Sequence, residues 1–311
     1  DFADIRGQEA AKRAVCIAAA GAHNILMIGP AGTGKTMIAR ALPGILPPLS
    51  REEALEVTRI FSSVGQVPPD QPIITRRPVR TPHHTASSVA VIGGGAVPRP
   101  GEVSMAHRGV LFLDEMPEFP RPVLETLRQP LEDGCVTIAR AHSSVQFPAR
   151  FMLVAAMNPT PKGDTPQDEV SHREMERYLA RISGPLIDRV DIHVEVPAVP
   201  HEQLMSRQRG TPTAELRDLV LAARRIQTHR IGDAATPNAS LTNKQLDQHA
   251  PLDEDAKTLL RQAMTELGLS ARAYDKVRRV ARTIADLEAS EAVTGAHVAE
   301  AIQYRLLDRK L

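Results

Sequence analysis

Short runs rich in apolar residues alternate with longer amphipathic stretches over the first two thirds of the chain. The apolar runs have the length of buried strands and lie at 24–29, 109–115, 151–158 and 188–196. The stretches between them have helical periodicity and lie at 9–22, 35–42 and 121–134. Buried strands separated by helices predict an α/β domain built on a parallel sheet.

The pattern changes after "PAVPH" at 197–201, which we interpret as a linker. Beyond it the periodicity is helical, with stretches at roughly 213–230, 242–249, 253–268, 270–289 and 294–308. We therefore predict two domains, an α/β core over 1–200 and an all-α lid over 201–311.

Local signals mark three further features. Ser50 is followed three residues later by Glu53, a capping-box pattern that predicts the start of a helix. The segment 65–101 is rich in Pro and Gly but too hydrophobic for a disordered region. "CVTIARAHSSVQFPARF" alternates apolar and polar residues on both sides of its centre, which predicts a β-hairpin.

Composition narrows the class of protein. The 311 residues suffice for two domains, whose cores must rely on aliphatic residues because Trp is absent and aromatics reach only 3%. A net charge of +1 excludes a uniformly basic surface, so a nucleic acid would be held locally, by loops or by a pore. The two cysteines, Cys16 and Cys135, indicate a reducing compartment rather than a disulfide framework. No apolar run is of membrane-spanning length, no signal peptide is visible, and a start at Asp1 makes us expect a piece of a longer protein.

The strongest chemical signal is "GPAGTGKT", which fits the phosphate-binding pattern G-x-x-x-x-G-K-[ST] between a predicted strand and a predicted helix. Its glycines permit a turn in which backbone N–H groups surround phosphate oxygens. Lys35 is expected to reach the β- and γ-phosphates of ATP, and the Thr36 hydroxyl to ligate Mg²⁺. The predicted ATP site is the whole motif: Gly29, Pro30, Ala31, Gly32, Thr33, Gly34, Lys35 and Thr36.

Polar residues end the next two predicted strands. Asp114 in "VLFLDE" is expected to hold Mg²⁺ together with Thr36, and Glu115 to polarise the water that attacks the γ-phosphate. Asn158 follows the third strand, where its amide can orient the same water. These residues predict hydrolysis of ATP rather than transfer of the phosphoryl group to another substrate.

In this order the motifs make nearly the whole chain resemble an AAA+ ATPase, with Walker A, Walker B, sensor 1 and an arginine-bearing helical lid. Several strings resemble, more narrowly, the magnesium-chelatase-like ComM/YifB family of the helix-2-insert group. Those strings are "DIRGQEAAKRAV", "RTPHHTAS", "IGGG", "PRPGE", "GVLFLDEMPEFPRPVLETLRQPLEDG", "FPARFMLVAAMNP" and "RISGPLIDRVDIHVEVP".

The resemblance implies a P-loop AAA+ three-layer core with a parallel five-stranded sheet, a separate all-α lid and a homo-oligomeric ring, a hexamer. It also implies two loops facing the central pore, the helix-2 insert at about 68–101 and the pre-sensor-1 hairpin at about 135–147. The implied function is that of a bacterial, cytoplasmic DNA motor that drives branch migration in recombination of incoming DNA during natural transformation. Two alternatives stay open: a chelatase-type ATPase that drives metal insertion by a partner subunit, and a nucleotide-dependent scaffold.

Two arginines acquire roles through the resemblance. Arg189 in "PLIDRVDI" matches the arginine-finger position, from which one subunit contacts the γ-phosphate held by its neighbour. The alternative for Arg189 is an ordinary salt bridge with Asp188 or Asp191. Arg272 in "GLSARAYDKVRRVARTIADL" matches sensor 2, which contacts the nucleotide of its own or of the neighbouring subunit.

The chain departs from typical members of the family in two places. They carry a cysteine-rich segment of the form CPCG, the implied zinc site, after "NP", whereas Thr160 stands at the first cysteine position here. We therefore expect no zinc site in this chain. Typical members also carry an N-terminal Lon-protease-like domain, which this sequence does not contain.

The stretch "RTPHHTASSVAVIGGG" in the predicted insert raises a separate question. His83 and His84 can ligate a metal, shape the loop or contact DNA, and the three glycines are a candidate hinge. Basic residues of the two loops, repeated around a ring, can bind DNA in spite of the near-neutral net charge. They are Arg76, Arg77, Arg80, Arg99, Arg140 and His142.

Overall fold

A computed structural model describes residues 1–95, 97–140, 143–160, 169–200, 210–305 and 307 of the chain. The strands are β1 (Ile25–Ile28), β2 (Val79–Arg80), β3 (Gly93–Gly94), β4 (Arg99–Pro100), β5 (Val110–Leu113), β6 (Cys135–Arg140), β7 (Ser143–Pro148), β8 (Met152–Met157) and β9 (Ile192–Glu195). The helices are α1 (Glu9–Gly21), α2 (Lys35–Ala41), α3 (Arg51–Ser63), α4 (Ser88–Ile92), α5 (Glu102–Met105), α6 (Arg121–Thr126), α7 (Arg128–Asp133), α8 (Glu169–Leu179), α9 (Gly184–Ile187), α10 (Thr213–Ile231), α11 (Asn243–His249), α12 (Glu254–Glu266), α13 (Ala271–Leu287) and α14 (Gly295–Gln303). Within the described residues, no helix combines the length and the apolar character needed to cross a bilayer.

The main sheet consists of five parallel strands in the order β2-β5-β8-β1-β9. Strands β5 and β8 are buried along their whole length, and β1 and β9 over three of four residues. Burial on both faces explains why β1, β5 and β8 have continuous apolar sequences, whereas the edge strand β9 contains His193 and Glu195. The predicted α/β class with a parallel five-stranded sheet is confirmed. The described residues from 210 to 305 supply the all-helical part, with one isolated bridge between Leu252 and Val293.

The fifth strand, β2, was not predicted from the sequence. It has two residues, Val79 and Arg80, which pair in parallel with Val110 and Leu111 of β5. A strand this short, at the edge of the sheet and half polar, carries no periodicity that sequence analysis can detect. It lies inside the range 68–101 that was predicted as the helix-2 insert. Residues 79–80 of that range therefore belong to the main sheet.

Internal contacts divide the chain into two compact units. The first comprises Asp1–Pro47 and Val190–Leu311 and contains β1, β9 and the helices from α10 onward. The second comprises Pro48–Arg189 and contains β2, β5, β8 and the β6–β7 hairpin. The division into a core over 1–200 and a lid over 201–311 stays a prediction, and residues 201–209 at that boundary lie outside the described part of the chain.

In the first unit the Ala-rich helix α1 packs against α10 and α13. Small side chains along α1 are buried, which lets the neighbouring helices approach closely. The Gln227 amide of α10 donates a hydrogen bond of 3.1 Å to the carbonyl of Ala20, near the end of α1. The same helix that precedes the predicted phosphate loop is therefore fixed by the C-terminal helices.

Local sequence signals are confirmed in the second unit, with one difference. Ser50 and Glu53 form the predicted capping box at the start of α3. The helix predicted over 121–134 is instead two short helices, α6 and α7, because Pro130 has no N–H to bond the carbonyl four residues earlier. Gly134 ends α7 in the left-handed conformation, at the last position of the predicted stretch. The predicted hairpin is present as β6 and β7, while residues 141–142 at its tip lie outside the described residues.

Candidate active site

The predicted phosphate loop connects β1 to α2 in the first unit. Gly34 immediately precedes α2 with φ of 93°, and Gly32 has φ of 76°. A Cβ at either position would meet no atom within 4 Å, so the backbone conformation, not lack of space, is what requires glycine there. Such a turn lets successive N–H groups surround an anion, which fits a polyphosphate.

Gly29 is required for a different reason. The Val196 N–H, just after β9, donates a 2.7 Å hydrogen bond to the carbonyl of Ile28. A Cβ built on Gly29 would lie 2.0 Å from the Val196 carbonyl oxygen. The phosphate loop thus begins where two parallel strands approach too closely for any side chain.

The Lys35 side chain folds back onto the phosphate loop. Its ammonium donates to the carbonyls of Gly29 at 2.6 Å and Pro30 at 2.7 Å, and the residue is only 7% exposed. The Thr33 hydroxyl donates to the same Pro30 carbonyl at 3.0 Å. A buried cation at a glycine-rich turn fits the binding of phosphate oxygens, which are stronger acceptors than neutral carbonyls.

Gln8 supports this loop, and sequence reasoning did not single it out. Its amide nitrogen donates to the carbonyls of Thr33, at 3.2 Å, and Pro197, at 2.6 Å. Gln8 itself has φ of 59°, a left-handed conformation that is uncommon for a residue with a side chain. The only signal in the sequence was its place within "DIRGQEAAKRAV", one of the strings that carry the family resemblance.

The second unit contains the predicted acids at the carboxyl end of β5. Asp114 follows Leu113 directly, and its Oδ1 accepts a 3.0 Å hydrogen bond from the N–H of Glu115. Glu115 has φ of 50° and ψ of 46°, so its backbone is left-handed. For a non-glycine residue such a conformation costs about 1–3 kcal/mol and is typical of functional sites. The strain lies at the residue predicted to activate water.

Asn158 lies in the same unit, directly after β8. Strands β5 and β8 are adjacent and parallel, with Leu113 opposite Ala155, so Asp114, Glu115 and Asn158 emerge at the same edge of the sheet. The predicted water-orienting amide therefore lies at the same edge of the sheet as the two predicted acids. Thr160, at the position of the first cysteine of typical relatives, is buried, and residues 161–168 after it lie outside the described residues.

The two histidines of the predicted insert are placed beside these acids. His84 Nδ1 lies 3.6 Å from Glu115 Oε2, and the His83 ring stacks on that of His84 with centroids 4.2 Å apart. His83 Nδ1 lies 2.9 Å from the Thr85 hydroxyl. Within the described residues, no cluster of three or more His, Cys, Asp or Glu is arranged to hold a metal ion. The structure thus gives His83 a contact within the loop and His84 a contact with the predicted base.

Arg189 forms an ion pair with a residue that was not considered from the sequence. Its guanidinium donates to a carboxylate oxygen of Glu132, on α7 of the same unit. The Glu132 side chain is exposed, whereas that of Arg189 is mostly buried. The role of Arg189 as a finger stays a prediction, and that role requires the guanidinium to exchange Glu132 for a phosphate.

Arg272 is exposed in the first turn of α13, in the first unit. Ser270 caps this helix, its hydroxyl accepting a 3.2 Å hydrogen bond from the Ala273 N–H. One turn further, the Lys276 ammonium donates to the Val190 carbonyl at 2.8 Å and lies 3.3 Å from Asp191 Oδ1. The predicted sensor-2 helix is therefore fastened to the residues that follow Arg189 in sequence.

Asp191 is the centre of this buried cluster. Its other carboxylate oxygen accepts a 3.0 Å hydrogen bond from the Asn24 N–H and lies 3.8 Å from His23 Nδ1. Burial alone would raise the pKa of Asp191, but the Lys276 ammonium and the interactions with His23 and Asn24 outweigh burial and hold the pKa well below its usual range. Arg305 adds hydrogen bonds to the carbonyls of Val190, at 2.7 Å, and Asp191, at 3.2 Å.

The basic residues proposed for DNA contact do not share one environment. Arg77 is bound to Glu53 at 3.0 Å and to the Arg108 carbonyl at 2.5 Å, and Arg80 forms a two-pronged pair with Glu102 at 2.5 and 2.7 Å. These two arginines are engaged in ion pairs inside the second unit, and their side chains are partly buried. Arg76 and Arg99 are exposed, whereas the Arg140 side chain and His142 lie outside the described residues.

Comparisons with known proteins cover the whole chain. The family model of magnesium chelatase subunit ChlI matches residues 1–204, and that of the ChlI C-terminal region matches residues 210–305. The chain is 47% identical over its entire length to the competence protein ComM of Haemophilus influenzae and 44% identical to the YifB protein of Salmonella typhimurium, and it spans 61% of each of those proteins. It is 26% identical to the magnesium-chelatase 38 kDa subunit of Cereibacter sphaeroides, over 96% of the chain and 88% of that subunit.

Proposed function

We propose an ATP-driven function on DNA, from the premise that the chain belongs to the magnesium chelatase ChlI family and, within it, to the ComM/YifB group. The family is of the AAA+ ATPase type, which supports hydrolysis of ATP as the reaction. Because the chain spans 61% of the ComM and YifB proteins, the activity of those whole proteins enters here as a proposal.

The observation that carries the proposal is the buried Lys35 ammonium, held against the carbonyls of the phosphate loop at 2.6 and 2.7 Å. A buried ammonium at a glycine-rich loop is suited to bind a negative group, because charge-assisted hydrogen bonds to phosphate oxygens are stronger than bonds to neutral carbonyls. The β- and γ-phosphates of ATP are such a group, and the left-handed Gly32 and Gly34 leave the backbone N–H groups able to bind the same oxygens.

In the proposed mechanism each residue has one task. Lys35 and the loop N–H groups bind and orient the phosphates, while Thr36 and Asp114 hold Mg²⁺. Mg²⁺ supplies positive charge that neutralises the charge developing on the transferred phosphoryl group. Glu115 accepts the proton of the attacking water. Asn158 orients that water through its amide.

Hydrolysis by the proposed mechanism also needs a second subunit. Arg189 is proposed to contact the γ-phosphate in a neighbouring subunit of a hexameric ring, and such a cation contributes about 10³–10⁵-fold in rate. Arg272 is proposed to contact the phosphates as sensor 2. Within one chain Arg189 is paired with the exposed Glu132, so this role requires the guanidinium to exchange that acid for a phosphate.

DNA is the proposed substrate of the motor. We propose that the chain acts, like ComM, in branch migration during recombination of incoming DNA. For this activity the ring must bind branched or single-stranded DNA in its pore. The similarity to a protein named for competence supports a role in DNA uptake and recombination. The alternative is a chelatase-type ATPase driving metal insertion by a partner subunit, which the lower similarity to the magnesium-chelatase subunit supports more weakly.

The test is the rate of ATP hydrolysis with and without forked or four-way DNA, with oligomer mass followed as Mg·ATP is added. We expect DNA to raise the rate and Mg·ATP to produce a hexamer. The Lys35→Ala variant serves as the control. It should not bind Mg·ATP, and it should not assemble when Mg·ATP is added. Hydrolysis and assembly without any response to DNA would favour the chelatase-type alternative. A monomer at every concentration, with no stimulation by any DNA, would contradict the motor.

A further inference from the structure

A pocket of about 380 Å³ lies in the second unit, between the segment after Glu115 and the end of α8. Part of its lining is apolar and includes the buried Pro117 and Phe119. The charged part of the lining consists of three arginines and one acid, namely Arg121, Arg177, Arg181 and Glu118. Three guanidinium groups against one carboxylate leave a net charge of +2, so this arginine pocket is suited to an anionic ligand.

Arg181 is held in place by its neighbours in the pocket. Its Nη1 donates to Glu118 Oε2 at 3.1 Å, and its guanidinium carbon lies 5.4 Å from the centroid of the Tyr178 ring. Tyr178 is itself buried, and burial together with a hydrogen bond to Glu118 raises the pKa of its hydroxyl. A guanidinium has five N–H donors, so the bond to Glu118 leaves Arg181 with donors for the oxygens of a ligand.

The other two arginines of the pocket, Arg121 and Arg177, are exposed, and neither forms an ion pair within the described residues. Glu125, four positions after Arg121 on α6, is bound instead to Arg128 at 3.2 Å. A guanidinium presents its donors as a planar fork, which matches two oxygens of one phosphate group. The pocket thus has two unpaired forks and a third cation that is already oriented.

The row of positive charge continues beyond the pocket along α8. Arg173 and Arg177 are four positions apart, on one face of the helix, and Arg181 follows in the turn that ends it. All three are exposed, and at about 1.5 Å of rise per residue their Cα atoms are about 6 Å apart along the helix. A row of cations fits a polymer of regularly spaced anions better than it fits one compact anion.

We propose that the arginine pocket, with Arg173 beside it, binds the phosphate backbone of single-stranded DNA. Arg121 and Arg177 donate to phosphate oxygens, and Arg181 adds a third contact while it stays bound to Glu118. The pocket has the volume of a small-ligand site, so it admits a nucleotide of a single strand but not a duplex. This site is separate from the two predicted pore loops. The inference rests on the proposed function, because it takes DNA as the partner.

The salt dependence of DNA binding gives the sharpest test, because each phosphate contact on a single strand contributes about 0.7 to the slope of log affinity against log salt. For Arg121→Gln/Arg177→Gln we expect weaker binding of a labelled oligo(dT) and a slope that is smaller in magnitude by at least about 1.4. The ratio of wild-type to variant affinity should then shrink at least about sevenfold between about 50 and 200 mM salt. Arg121→Lys/Arg177→Lys keeps both charges and should keep most of the slope.

The experiment measures fluorescence anisotropy of the labelled oligo(dT) with each variant, oligomer mass in Mg·ATP, and thermal melting as a check of folding. Arg51→Gln/Arg59→Gln, which removes two exposed arginines of α3 in the same unit, is the matched control. It should keep the affinity and the slope of the wild type. The pocket variant should assemble in Mg·ATP as the wild type does.

The outcomes separate this site from the proposed function. An unchanged slope in the pocket variant, when the wild type binds DNA, overturns the site and leaves the proposed function intact. An equal loss in the α3 control also overturns it, since diffuse charge would then explain the binding. Loss of assembly in the pocket variant overturns it in favour of a second copy of the chain as the occupant. Failure of the wild-type chain to bind any DNA contradicts the proposed function and the site with it.

Discussion

The buried pair of Lys276 and Asp191 allows a prediction of stability and of its dependence on pH. Lys276→Met keeps an unbranched apolar side chain, shorter by the terminal atom, and removes the ammonium that lies 3.3 Å from Asp191 Oδ1. The two residues are only 7% and 8% exposed, so water cannot replace the lost partner. The carboxylate then stays buried with the Asn24 N–H and His23 as its remaining partners.

The expected cost follows from this burial. Removing one partner of a buried pair typically costs about 3–5 kcal/mol, and the bonds that Asp191 retains place the estimate at about 3 kcal/mol. The matched control is Lys257→Met, which removes an ammonium 2.7 Å from Glu254 in a pair whose side chains are 50% and 88% exposed. Exposed pairs of this kind contribute at most about 0.5 kcal/mol.

The sign of the pH dependence differs between wild type and variant. In the wild type the pKa of Asp191 lies below that of the unfolded chain, about 3.9, so its stabilising contribution is present above that value and is lost as the pH falls further. Without Lys276, burial becomes the dominant effect and raises the pKa above 3.9. Protonation then favours the folded variant, and its deficit in stability shrinks as the pH falls from 7 towards 4.

Urea denaturation at several pH values measures both effects. We expect a deficit of about 3 kcal/mol at pH 7 that narrows steadily towards pH 4. In an Asp191→Asn background the stability cost of Lys276→Met should depend little on pH. This result would assign the pH dependence to Asp191 rather than to His23. A deficit below about 0.5 kcal/mol, or one that is constant from pH 7 to 4, would refute the reasoning.

Two further predictions concern the phosphate loop and the finger. Gly29→Ala places a Cβ 2.0 Å from the Val196 carbonyl oxygen. We therefore expect a loss of about 1–3 kcal/mol in unfolding free energy and weaker binding of a fluorescent ATP analogue. Unchanged affinity and stability would count against the close approach. Arg189→Ala should lower kcat roughly 10³-fold or more, and mixing it with Glu115→Gln subunits should restore hydrolysis at interfaces that join an intact Glu115 to an intact finger. Absence of recovery in mixed oligomers would argue that Arg189 does not act across subunits.

Elements with a strong local signal could be predicted from the sequence. The three central strands, β1, β5 and β8, are continuous apolar runs, and the phosphate loop follows one of them and precedes a helix. The capping box at Ser50 and the helix end at Gly134 depend on side chains and backbone conformations within a few residues. Even the break at Pro130 has a local cause, the missing N–H, that was not used in predicting one continuous helix.

The contacts that sequence reasoning missed are long-range. Arg189 pairs with Glu132, 57 positions away, although two aspartates stand next to it in the sequence. The contact between His84 and Glu115 joins the turn after a two-residue strand, which has no pattern of its own, to the end of the neighbouring strand. Periodicity and spacing describe one segment at a time, whereas these pairs are decided by which segments the sheet brings side by side.

The claim that Glu115 activates the attacking water is tested most directly by the hydrolysis rate of Glu115→Gln at saturating Mg·ATP. The amide keeps the shape of the carboxylate but cannot accept the proton. We predict that the variant binds Mg·ATP as tightly as the wild type and that its kcat falls by about 10²–10⁴-fold. A variant that binds Mg·ATP and hydrolyses it at the wild-type rate would contradict the claim.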